Sequence, residues 1–332
     1  MSKEISESVV VVTGASSGIG RASALEFARE GAKVVLASRN KTALRKAAAE
    51  CEQLGAETLI VPTDVRDEDQ VERLAQKAVG KFGRIDVWVN NAGVGLYSRF
   101  EETPRDAYQS LLDTNLMGVI HGARCAIRQF REQDSGVLIN VSSQTAIGGF
   151  PYNAYYSTSK FAVRLLGNSL RQELLETNID VCTILPASTD TPFFEHSANF
   201  MGREIQPVGS IDSPQRVAKQ IVELARHPRR EVMVGKTGWA LTAFAEAAPS
   251  VYDRTIRRKT EKDHFTENKA PETLGNLLRS ASPYDVEGGW RERKGGGKTG
   301  TIVSLAAAGG GITWLLLSRR ARKRANQLMR AA

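Results

Sequence analysis

Short apolar runs alternate with longer segments of helical periodicity between residues 8 and 235. The apolar runs are rich in Val and Ile, and most of them are continuous, with few polar residues interposed. Such runs are typical of strands whose two faces are both buried, as in a parallel sheet. The predicted strands are Val9–Thr13, Lys33–Ala37, Thr58–Pro62, Ile85–Val89, Gly136–Val141, Asp180–Leu185 and Glu231–Val234.

The segments between these strands have the spacing of amphipathic helices, and several end in a glycine. Gly31, Gly55 and Gly83 stand where the first residue beyond a helix would fall, a position that favours glycine. Repeated alternation of strand and helix predicts an α/β fold, a doubly wound parallel sheet of the Rossmann type with about seven strands. We place this domain at residues 1–252.

The pattern changes towards the C-terminus. Residues 253–298 are polar, charged and finally rich in glycine, which predicts a linker or a loosely ordered extension. Residues 299–332 are an apolar segment with a basic tail, and the 19 uncharged positions 299–317 are long enough to cross a hydrocarbon layer of ~30 Å. Two interpretations stay open: a membrane-associated segment, which spans the bilayer or lies at its interface, and a flexible glycine-rich tail.

Composition and charge change this picture little. The chain has 332 residues, 41% hydrophobic and 25% charged, as in a globular protein with a sizeable core. Its net charge is +8, but six basic residues and no acidic ones lie within 319–332, so the body is nearly neutral and no nucleic-acid-binding face is predicted. Three isolated cysteines predict neither a disulfide framework nor a metal site. The apolar run at Val9 is too short for a signal peptide, so we expect a cytoplasmic protein.

The first predicted strand runs directly into a glycine-rich loop, "TGASSGIG" at 13–20, which a helical pattern follows. Glycines at this point leave room for a pyrophosphate to approach the backbone N–H groups of the loop and the helix N-terminus. The alternative is an ordinary tight turn. We expect a dinucleotide cofactor to contact Gly14, Ser16, Ser17, Gly18 and Ile19.

The residues that follow the second strand select between the two nicotinamide cofactors. A carboxylate there usually binds the ribose hydroxyls of NAD, but this chain has Ser38-Arg39-Asn40 instead. The Arg39 guanidinium suits the 2′-phosphate of NADP, with which it can form two hydrogen bonds. NADP is therefore favoured over NAD. The alternative is that Arg39 is a solvated residue at the start of a helix capped by Asn40.

Two adjacent tyrosines precede a lysine in "YYSTSK" at 155–160, within a helical pattern. Residues four apart share one face of a helix, so Lys160 lies beside Tyr156 and not beside Tyr155. A free phenol has a pKa of about 10, too high for a base at neutral pH, and a nearby ammonium favours the phenolate. We predict Tyr156 as the acid/base group and Tyr155 as a packing or pocket-wall residue.

These motifs, in this order, resemble those of the short-chain dehydrogenase/reductase family over residues 8–235. The resemblance implies that Ser143 hydrogen-bonds the substrate oxygen and that Lys160 also holds the nicotinamide ribose. It implies that Asn115 holds a water that connects Lys160 to solvent, although Asn115 has the alternative of a polar kink residue in the helical pattern 104–131. The residues that carry the resemblance are Thr13-Gly14-x-x-x-Gly18-Ile19-Gly20, Asp64, Asn90-Asn91-Ala92-Gly93, Asn115, Ser143, Tyr156 and Lys160.

Further cofactor contacts follow from the same resemblance. Asp64 and Val65 are expected to meet the adenine, unless Asp64 caps the helix that begins in "DVRDEDQ". Asn91 is expected beside the cofactor, and Asn90 as a brace of the sheet. Thr189 is expected to reach the nicotinamide amide, although Ala187 stands where the family has glycine.

An apolar, aromatic pocket is predicted for the substrate, with packing in the core of a lid as the alternative. The sequence thus predicts an NADP-dependent oxidoreductase that interconverts a hydrophobic secondary alcohol and a ketone or aldehyde, and that forms a homo-oligomer. A non-catalytic dinucleotide-binding regulatory or scaffold protein is the alternative. The candidate pocket residues are Gly95, Leu96, Tyr97, Phe150, Tyr152, Phe193, Phe194, Phe200 and Met201.

Overall fold

The computed structural model describes residues 4–235 and 244–293 of the chain. Its strands are β1 (Val9–Thr13), β2 (Lys33–Ser38), β3 (Thr58–Pro62), β4 (Val87–Asn90), β5 (Leu96–Tyr97), β6 (Gly136–Val141), β7 (Ile179–Pro186), β8 (Ala198–Asn199), β9 (Arg203–Ile205), β10 (Glu231–Val234) and β11 (Phe265–Lys269). Its helices are α1 (Gly18–Arg29), α2 (Lys41–Gln53), α3 (Glu68–Phe82), α4 (Arg105–Leu112), α5 (Gly118–Glu132), α6 (Thr145–Gly148), α7 (Ala154–Glu173), α8 (Phe193–His196), α9 (Pro214–Arg226), α10 (Pro249–Asp263) and α11 (Trp290–Arg293).

Within this part of the chain, seven parallel strands form one sheet in the order β10-β7-β6-β4-β1-β2-β3. This confirms the predicted Rossmann-type α/β fold, and the predicted strands match the observed ones within two residues at every end. The strand order reverses at β1, which lies between β2 and β4. In open α/β sheets, ligands bind at the carboxyl ends of the strands beside such a switch point.

The two faces of the sheet are covered by separate layers of helices, because successive side chains of a strand point to opposite faces. In β1, Val10 and Val12 join an apolar cluster with α1, α2 and α9. Val9 and Val11 join the other cluster, with α3, α5 and the end of α7. The continuous apolar runs of the sequence therefore reflect burial on both faces. Gly83 ends α3 with a φ of 81°, the left-handed conformation predicted for a glycine at this position.

The C-terminal segment up to residue 293 differs from the predicted linker or loosely ordered extension. The predicted boundary at residue 252 falls inside α10, and β11 pairs with β9 in antiparallel fashion. Residues 273–293, which we call the strap, then cross the carboxyl end of the sheet. The polar C-terminal segment, 253–293, is ordered because it buries a few apolar side chains. Among them are Phe265, Leu277 and Trp290, which are at most 8% exposed.

None of the helices described in 4–235 and 244–293 is both long and apolar enough to cross a membrane. The predicted apolar segment and basic tail, residues 299–332, lie outside the described residues, so their membrane association stays a prediction.

Candidate active site

A cavity of about 2000 Å³ opens at the carboxyl ends of the central strands and is roofed by the strap and by α10. Most of the residues predicted to bind cofactor or to act in catalysis line it, although they come from widely separated parts of the sequence. Those that line the cavity are Gly14, Ser16, Ser17, Gly18, Ile19, Arg39, Asp64, Val65, Asn91, Ser143, Tyr156, Lys160 and Thr189. Asn115 lies behind the wall.

The glycine loop between β1 and α1 is shaped to receive another group closely. Gly14 and Gly18 have φ angles of 69° and 52°, which strain any residue with a side chain. A Cβ on Gly20 would lie 2.2 Å from the carbonyl oxygen of Gly14, so only glycine fits at this turn. The bare glycine backbone therefore leaves no side chain between this loop and a pyrophosphate, although the N–H of Gly18 donates to the carbonyl oxygen of Asp285 at 3.0 Å.

The loop is fixed to the neighbouring strand by Thr13, to which the sequence analysis gave no role of its own. Its hydroxyl donates to the carbonyl oxygen of Val89 at 3.2 Å and accepts from the N–H groups of Asn91 and Ala92 at 3.0 and 3.1 Å. The Asn91 amide donates to the Thr13 carbonyl oxygen at 2.9 Å. A threonine at the start of the glycine motif was the available signal.

Asn90 braces the sheet, as predicted. Its side chain is 2% exposed, donates to the Asn140 side chain on β6 at 3.0 Å and to the Val119 carbonyl oxygen at 3.2 Å, and accepts from the Trp88 indole at 2.8 Å. The two adjacent asparagines therefore have different positions: Asn90 connects the strands of the sheet, whereas Asn91 lines the cavity.

Arg39 follows β2 and is half-buried at the cavity wall. Its guanidinium donates to the carbonyl oxygens of Asn276 and Leu277 in the strap, at 2.7 and 3.2 Å. It is therefore not a freely solvated residue. Asn40 caps α2 as predicted, because its side chain accepts from the N–H of Ala43 at 2.9 Å.

Asp64 lies next to Arg39 but does not cap the following helix. Asp67 caps α3, with its side chain accepting from the N–H of Gln70. The Asp64 carboxylate is instead paired with the Arg66 side chain, whose Nε lies 3.0 Å from both carboxylate oxygens. Burial would raise the pKa of Asp64, but hydrogen bonds from Arg66 and the charges of Arg66 and Arg39 outweigh it and hold that pKa below its usual value.

Tyr156 and Lys160 lie on one face of α7, and Ser143 follows β6. The Lys160 Nζ is 5.7 Å from the centre of the Tyr156 ring and donates to the Val141 carbonyl oxygen at 3.0 Å. Ser143 lies close enough to the Tyr156 hydroxyl to lower the pKa of that group. Ser142 turns away, since its hydroxyl donates to the Lys160 carbonyl oxygen at 2.7 Å. The structure thus brings the three predicted side chains together.

Burial sets the charge state of this group in the protein alone. It raises the pKa of Tyr156 to about 12, only partly offset by the hydrogen bond with Ser143. Burial also lowers the pKa of Lys160 to about 8. We expected the lysine to bring the phenol towards neutral pH. In the protein alone the pKa of Tyr156 is raised instead, because burial disfavours the charged phenolate.

Asn115 is buried behind the lysine, in a π-helical turn (Asp113–Met117) that joins α4 to α5. Its amide accepts from the N–H of Val94 at 2.8 Å and donates to the Val94 carbonyl oxygen at 2.9 Å and the Ser159 hydroxyl at 3.3 Å. A Cβ on Gly93 would lie 3.4 Å from both Asn115 Oδ1 and Lys160 Nζ. Asn115 therefore occupies a helix irregularity and also adjoins the lysine.

The loop after β7 holds the strap as well as the cavity wall. Thr189 is 5% exposed, and its hydroxyl donates to the Ala187 carbonyl oxygen at 3.0 Å. The sequence analysis missed Asp190, whose carboxylate accepts from the N–H groups of Trp290 at 2.7 Å and of Gly288 and Arg291 at 3.2 Å. Nothing in the local sequence signals these partners, which lie about a hundred residues away.

Aromatic side chains line part of the cavity, and one of them packs beside Tyr156. The rings of Phe193 and Tyr156 are 5.5 Å apart. Tyr97, Phe150, Phe193 and Phe194 line the cavity, together with Tyr252 and Ile256 of α10, which the sequence analysis had assigned to the end of the domain and to the linker. The other candidates do not line it: Gly95, Leu96, Tyr152, Phe200 and Met201.

Tyr155 is a packing residue, one of the two roles predicted for it. Its ring is stacked between those of Phe100 and Tyr108, at centroid distances of 4.9 and 4.7 Å. Its hydroxyl donates to the Phe100 carbonyl oxygen at 3.3 Å.

The polar atoms around the cavity suit a dinucleotide. Asn276 Oδ1, Thr145 Oγ1 and His196 Nε2 are buried and have no hydrogen-bond partner among the described residues, and all three residues line the cavity. Buried polar groups normally have partners, so these atoms are available to a ligand. Together with the glycine loop and Arg39, they fit a nicotinamide dinucleotide.

A family model described as short chain dehydrogenase matches residues 8–201. The chain therefore belongs to the short-chain dehydrogenase/reductase family, and it is an NAD(P)-dependent oxidoreductase acting on CH–OH groups. It is 31% identical over 333 residues to an uncharacterized oxidoreductase, YxnA, of Bacillus subtilis, covering 96% of this chain and 92% of that one.

Two further comparisons are with proteins whose names state an activity. The chain is 35% identical over 244 residues to the 3-ketodihydrosphingosine reductase of Bos taurus, covering 71% of this chain and 73% of that protein. The crystal structure of an alcohol dehydrogenase from Thermococcus sibiricus, complexed with 5-hydroxy-NADP, matches with a TM-score of 0.61 at 28% identity, covering 68% of this chain and 95% of that one.

Proposed function

We propose that this protein is an NADP-dependent oxidoreductase that interconverts a hydrophobic secondary alcohol and a ketone or aldehyde, with Tyr156 as the proton donor and acceptor. The observation that carries the proposal is the position of the Tyr156 hydroxyl. Tyr156 lines the cavity beside Ser143, which interacts with its hydroxyl, and Lys160 lies one helical turn away.

The bound nicotinamide supplies or accepts the hydride. The chain's own residues manage the proton and the geometry. Because burial raises the pKa of Tyr156 to about 12, the phenol is protonated at neutral pH and suited to donate to a substrate oxygen that gains negative charge. Ser143 offers that oxygen a second hydrogen bond.

Lys160 and Asn115 act behind the tyrosine. A lysine ammonium has three donors, and the Val141 carbonyl oxygen accepts one of them. The other two are available to the hydroxyls of the nicotinamide ribose. We assign Asn115 the support of a water between Lys160 and solvent, since Gly93 leaves a narrow space between the two side chains.

The preference for NADP is supported by charge. The carboxyl ends of β2 and β3 present Arg39 and Arg66, and the Asp64 carboxylate there is neutralised by its pair with Arg66. A 2′-phosphate would therefore meet a net positive surface. The Thermococcus sibiricus structure, whose title names a complex with 5-hydroxy-NADP, supports the same choice.

The substrate class follows from the apolar side chains that line the cavity near Tyr156. Phe193, Phe194, Tyr97 and Ile256 make this end of the cavity apolar, which suits a hydrophobic compound. The bovine relative is named for the reduction of a keto compound, in agreement with a ketone as the oxidised substrate.

Phe161 and Leu165 are 53% and 55% exposed on one face of α7, and we assign this face to the contact of a homo-oligomer.

The test is NADPH oxidation with a panel of hydrophobic ketones and aldehydes, with Tyr155→Phe as the matched control. Tyr156→Phe should lower kcat by roughly 10²–10⁴-fold, because it removes the proton donor, and should leave the Kd for NADPH unchanged. Tyr155→Phe should stay within about twofold of the native rate, because its hydroxyl lies outside the cavity. A Tyr156→Phe rate within tenfold of native would contradict the assignment. Cofactor binding without turnover of any compound by the native protein would favour the non-catalytic alternative.

A further inference from the structure

The strap covers the part of the cavity that adjoins the glycine loop and the end of β2. The N–H of Gly18 donates to the Asp285 carbonyl oxygen at 3.0 Å, and the Arg21 guanidinium donates to the Tyr284 carbonyl oxygen at 2.7 Å. The Asn40 side chain donates to the Tyr284 hydroxyl at 2.7 Å. A segment 240 residues or more away in sequence is thus fastened to both elements that would bind the adenosine half of a cofactor.

The same segment fixes the direction of Arg39. Two of the five guanidinium N–H groups donate to strap carbonyl oxygens, those of Asn276 and Leu277. The Leu277 carbonyl oxygen also accepts from Ser110 Oγ at 3.0 Å, which holds it in place independently of Arg39. Three N–H groups of the guanidinium remain for another acceptor, so these contacts orient the arginine without consuming it.

One apolar side chain anchors these carbonyl groups. Leu277 is 0% exposed and packs with Val94, Leu96 and Leu111, whereas its neighbour Leu278 is 46% exposed. Within 276–289, Leu277 is the one fully buried residue. Burial of a leucine stabilises a contact more than a typical single hydrogen bond does, so this side chain dominates the docking of its segment.

A second observation indicates that a ligand belongs between the strap and the sheet. Asn276, Ser280, Ala281 and Tyr284 line the same cavity as the glycine loop. Asn276 Oδ1 is buried there without a hydrogen-bond partner among the described residues. A buried carbonyl oxygen without a donor is costly in the protein alone and suits the amino or hydroxyl donors of an adenosine group.

We propose that the strap is the specificity element of the cofactor site, in which Leu277 is a positioning residue that acts through Arg39. Leu277 holds the 276–277 carbonyl groups, these groups hold the guanidinium, and the guanidinium meets the 2′-phosphate. The inference rests on the proposed preference for NADP. The competing arrangement is a strap that blocks the arginine and has to leave before the phosphate binds.

The experiment measures Kd for NADPH and for NADH by fluorescence titration of the full-length protein, with Leu278→Ala as the matched control. Leu277→Ala should weaken NADPH binding about tenfold and NADH binding less than about threefold, because only NADPH has the phosphate that needs an oriented arginine. Leu278→Ala should leave both values unchanged. If Leu277→Ala weakens the binding of NADPH and NADH equally, the leucine has only a structural role. If Leu277→Ala binds NADPH more tightly than the native protein does, the strap blocks the arginine and the proposal is wrong.

Arg39→Ala separates this inference from the function on which it rests. If native protein binds both cofactors equally and Arg39→Ala changes neither Kd, the proposed NADP preference itself is wrong. If Arg39→Ala removes the preference while Leu277→Ala preserves it, only the role of the strap is wrong.

Amide hydrogen exchange of the native protein gives a readout that needs no folded variant. Saturating NADP should slow exchange across 276–285 more than saturating NAD does. The 2′-phosphate would fix Arg39 in place, and the guanidinium in turn holds the carbonyl oxygens of Asn276 and Leu277 in the strap. Equal protection by the two cofactors, or faster exchange with NADP, would overturn the proposal.

Discussion

The region that carries the proposed catalytic residues, formed by the sheet and α7, and the strap that covers the proposed cofactor end are held in place by different forces. Val141, Tyr156 and Lys160 belong to elements packed on a continuous apolar core, in which strand residues such as Leu138 are fully buried. The strap has two buried side chains, Leu277 and Trp290, and is otherwise attached by hydrogen bonds. Each such bond contributes only about 0.5–1.5 kcal/mol net. Chemistry is thus placed on the rigid region, and cofactor access on a region that can open locally.

The largest effect expected from this difference is on global stability. Leu138→Ala in β6 should lower the free energy of unfolding by about 2–5 kcal/mol, because it leaves a cavity in the core. Trp290→Ala in the strap should leave global unfolding nearly unchanged, since its cost cannot exceed the free energy of docking the strap. Urea denaturation measures the first and hydrogen exchange over 276–293 the second. Equal losses of global stability would show that the strap belongs to the cooperative core.

The next effect is at the junction of the two regions, the glycine loop. Gly20→Ala should weaken cofactor binding about 10–100-fold, because its Cβ would lie 2.2 Å from the Gly14 carbonyl oxygen and 2.4 Å from Asn91 Nδ2, and overpacking of this kind costs about 1–3 kcal/mol. Gly80→Ala is the control: its Cβ meets nothing within 4 Å in α3, so it should stabilise the helix by about 0.5–1 kcal/mol and leave binding unchanged. Titration calorimetry measures cofactor affinity and scanning calorimetry measures stability. Unaltered affinity in Gly20→Ala would contradict the proposed binding of the cofactor at the glycine loop.

The smallest effect is the pH dependence of the rigid site. Burial lowers the pKa of Lys160 from 10.5 to about 8, so its ammonium is lost as pH rises through about 8. The rate of carbonyl reduction should then fall about tenfold per pH unit above that value, whereas Lys160→Arg keeps its charge and should lack this decline. A decline of equal steepness in both proteins would assign it to another group.

The same shift has the opposite consequence for stability. Between pH 8 and 10.5 the unfolded chain binds more protons at Lys160 than the folded protein does, so the contribution of Lys160 to stability rises with pH in that window. Tyr156 acts in the other direction: its pKa is raised from 10.0 to about 12, so its contribution falls as pH rises from 10.0 to 12. Denaturation at fixed pH values separates these effects from the kinetic one.

Local spacing was sufficient to predict that Tyr156 and Lys160 share one face of a helix, whereas the roles of Ser143 and Asn115 were implied by the family resemblance. A separation of four residues on a helix places Tyr156 beside Lys160 whatever the rest of the chain does, and the stacked ring of Tyr155 confirms its exclusion from that face. The partners of Arg39 were beyond prediction, because a backbone carbonyl group carries no sequence signature and the two that hold it lie 237 and 238 residues away. The same is true of Asp190 and the N–H groups of the strap.

The sequence by itself determined the seven-stranded sheet, the glycine loop and the tyrosine–lysine pair, because burial on both faces and helix periodicity are local physical requirements that leave a direct pattern in the chain. Only the tertiary structure decided that a polar segment, 273–293, roofs the cofactor end. It also decided that burial raises the pKa of the Tyr156 phenol, where the sequence had predicted that the nearby lysine lowers it. Both depend on which distant groups exclude water from a given atom, a property that becomes definite only when the chain is packed.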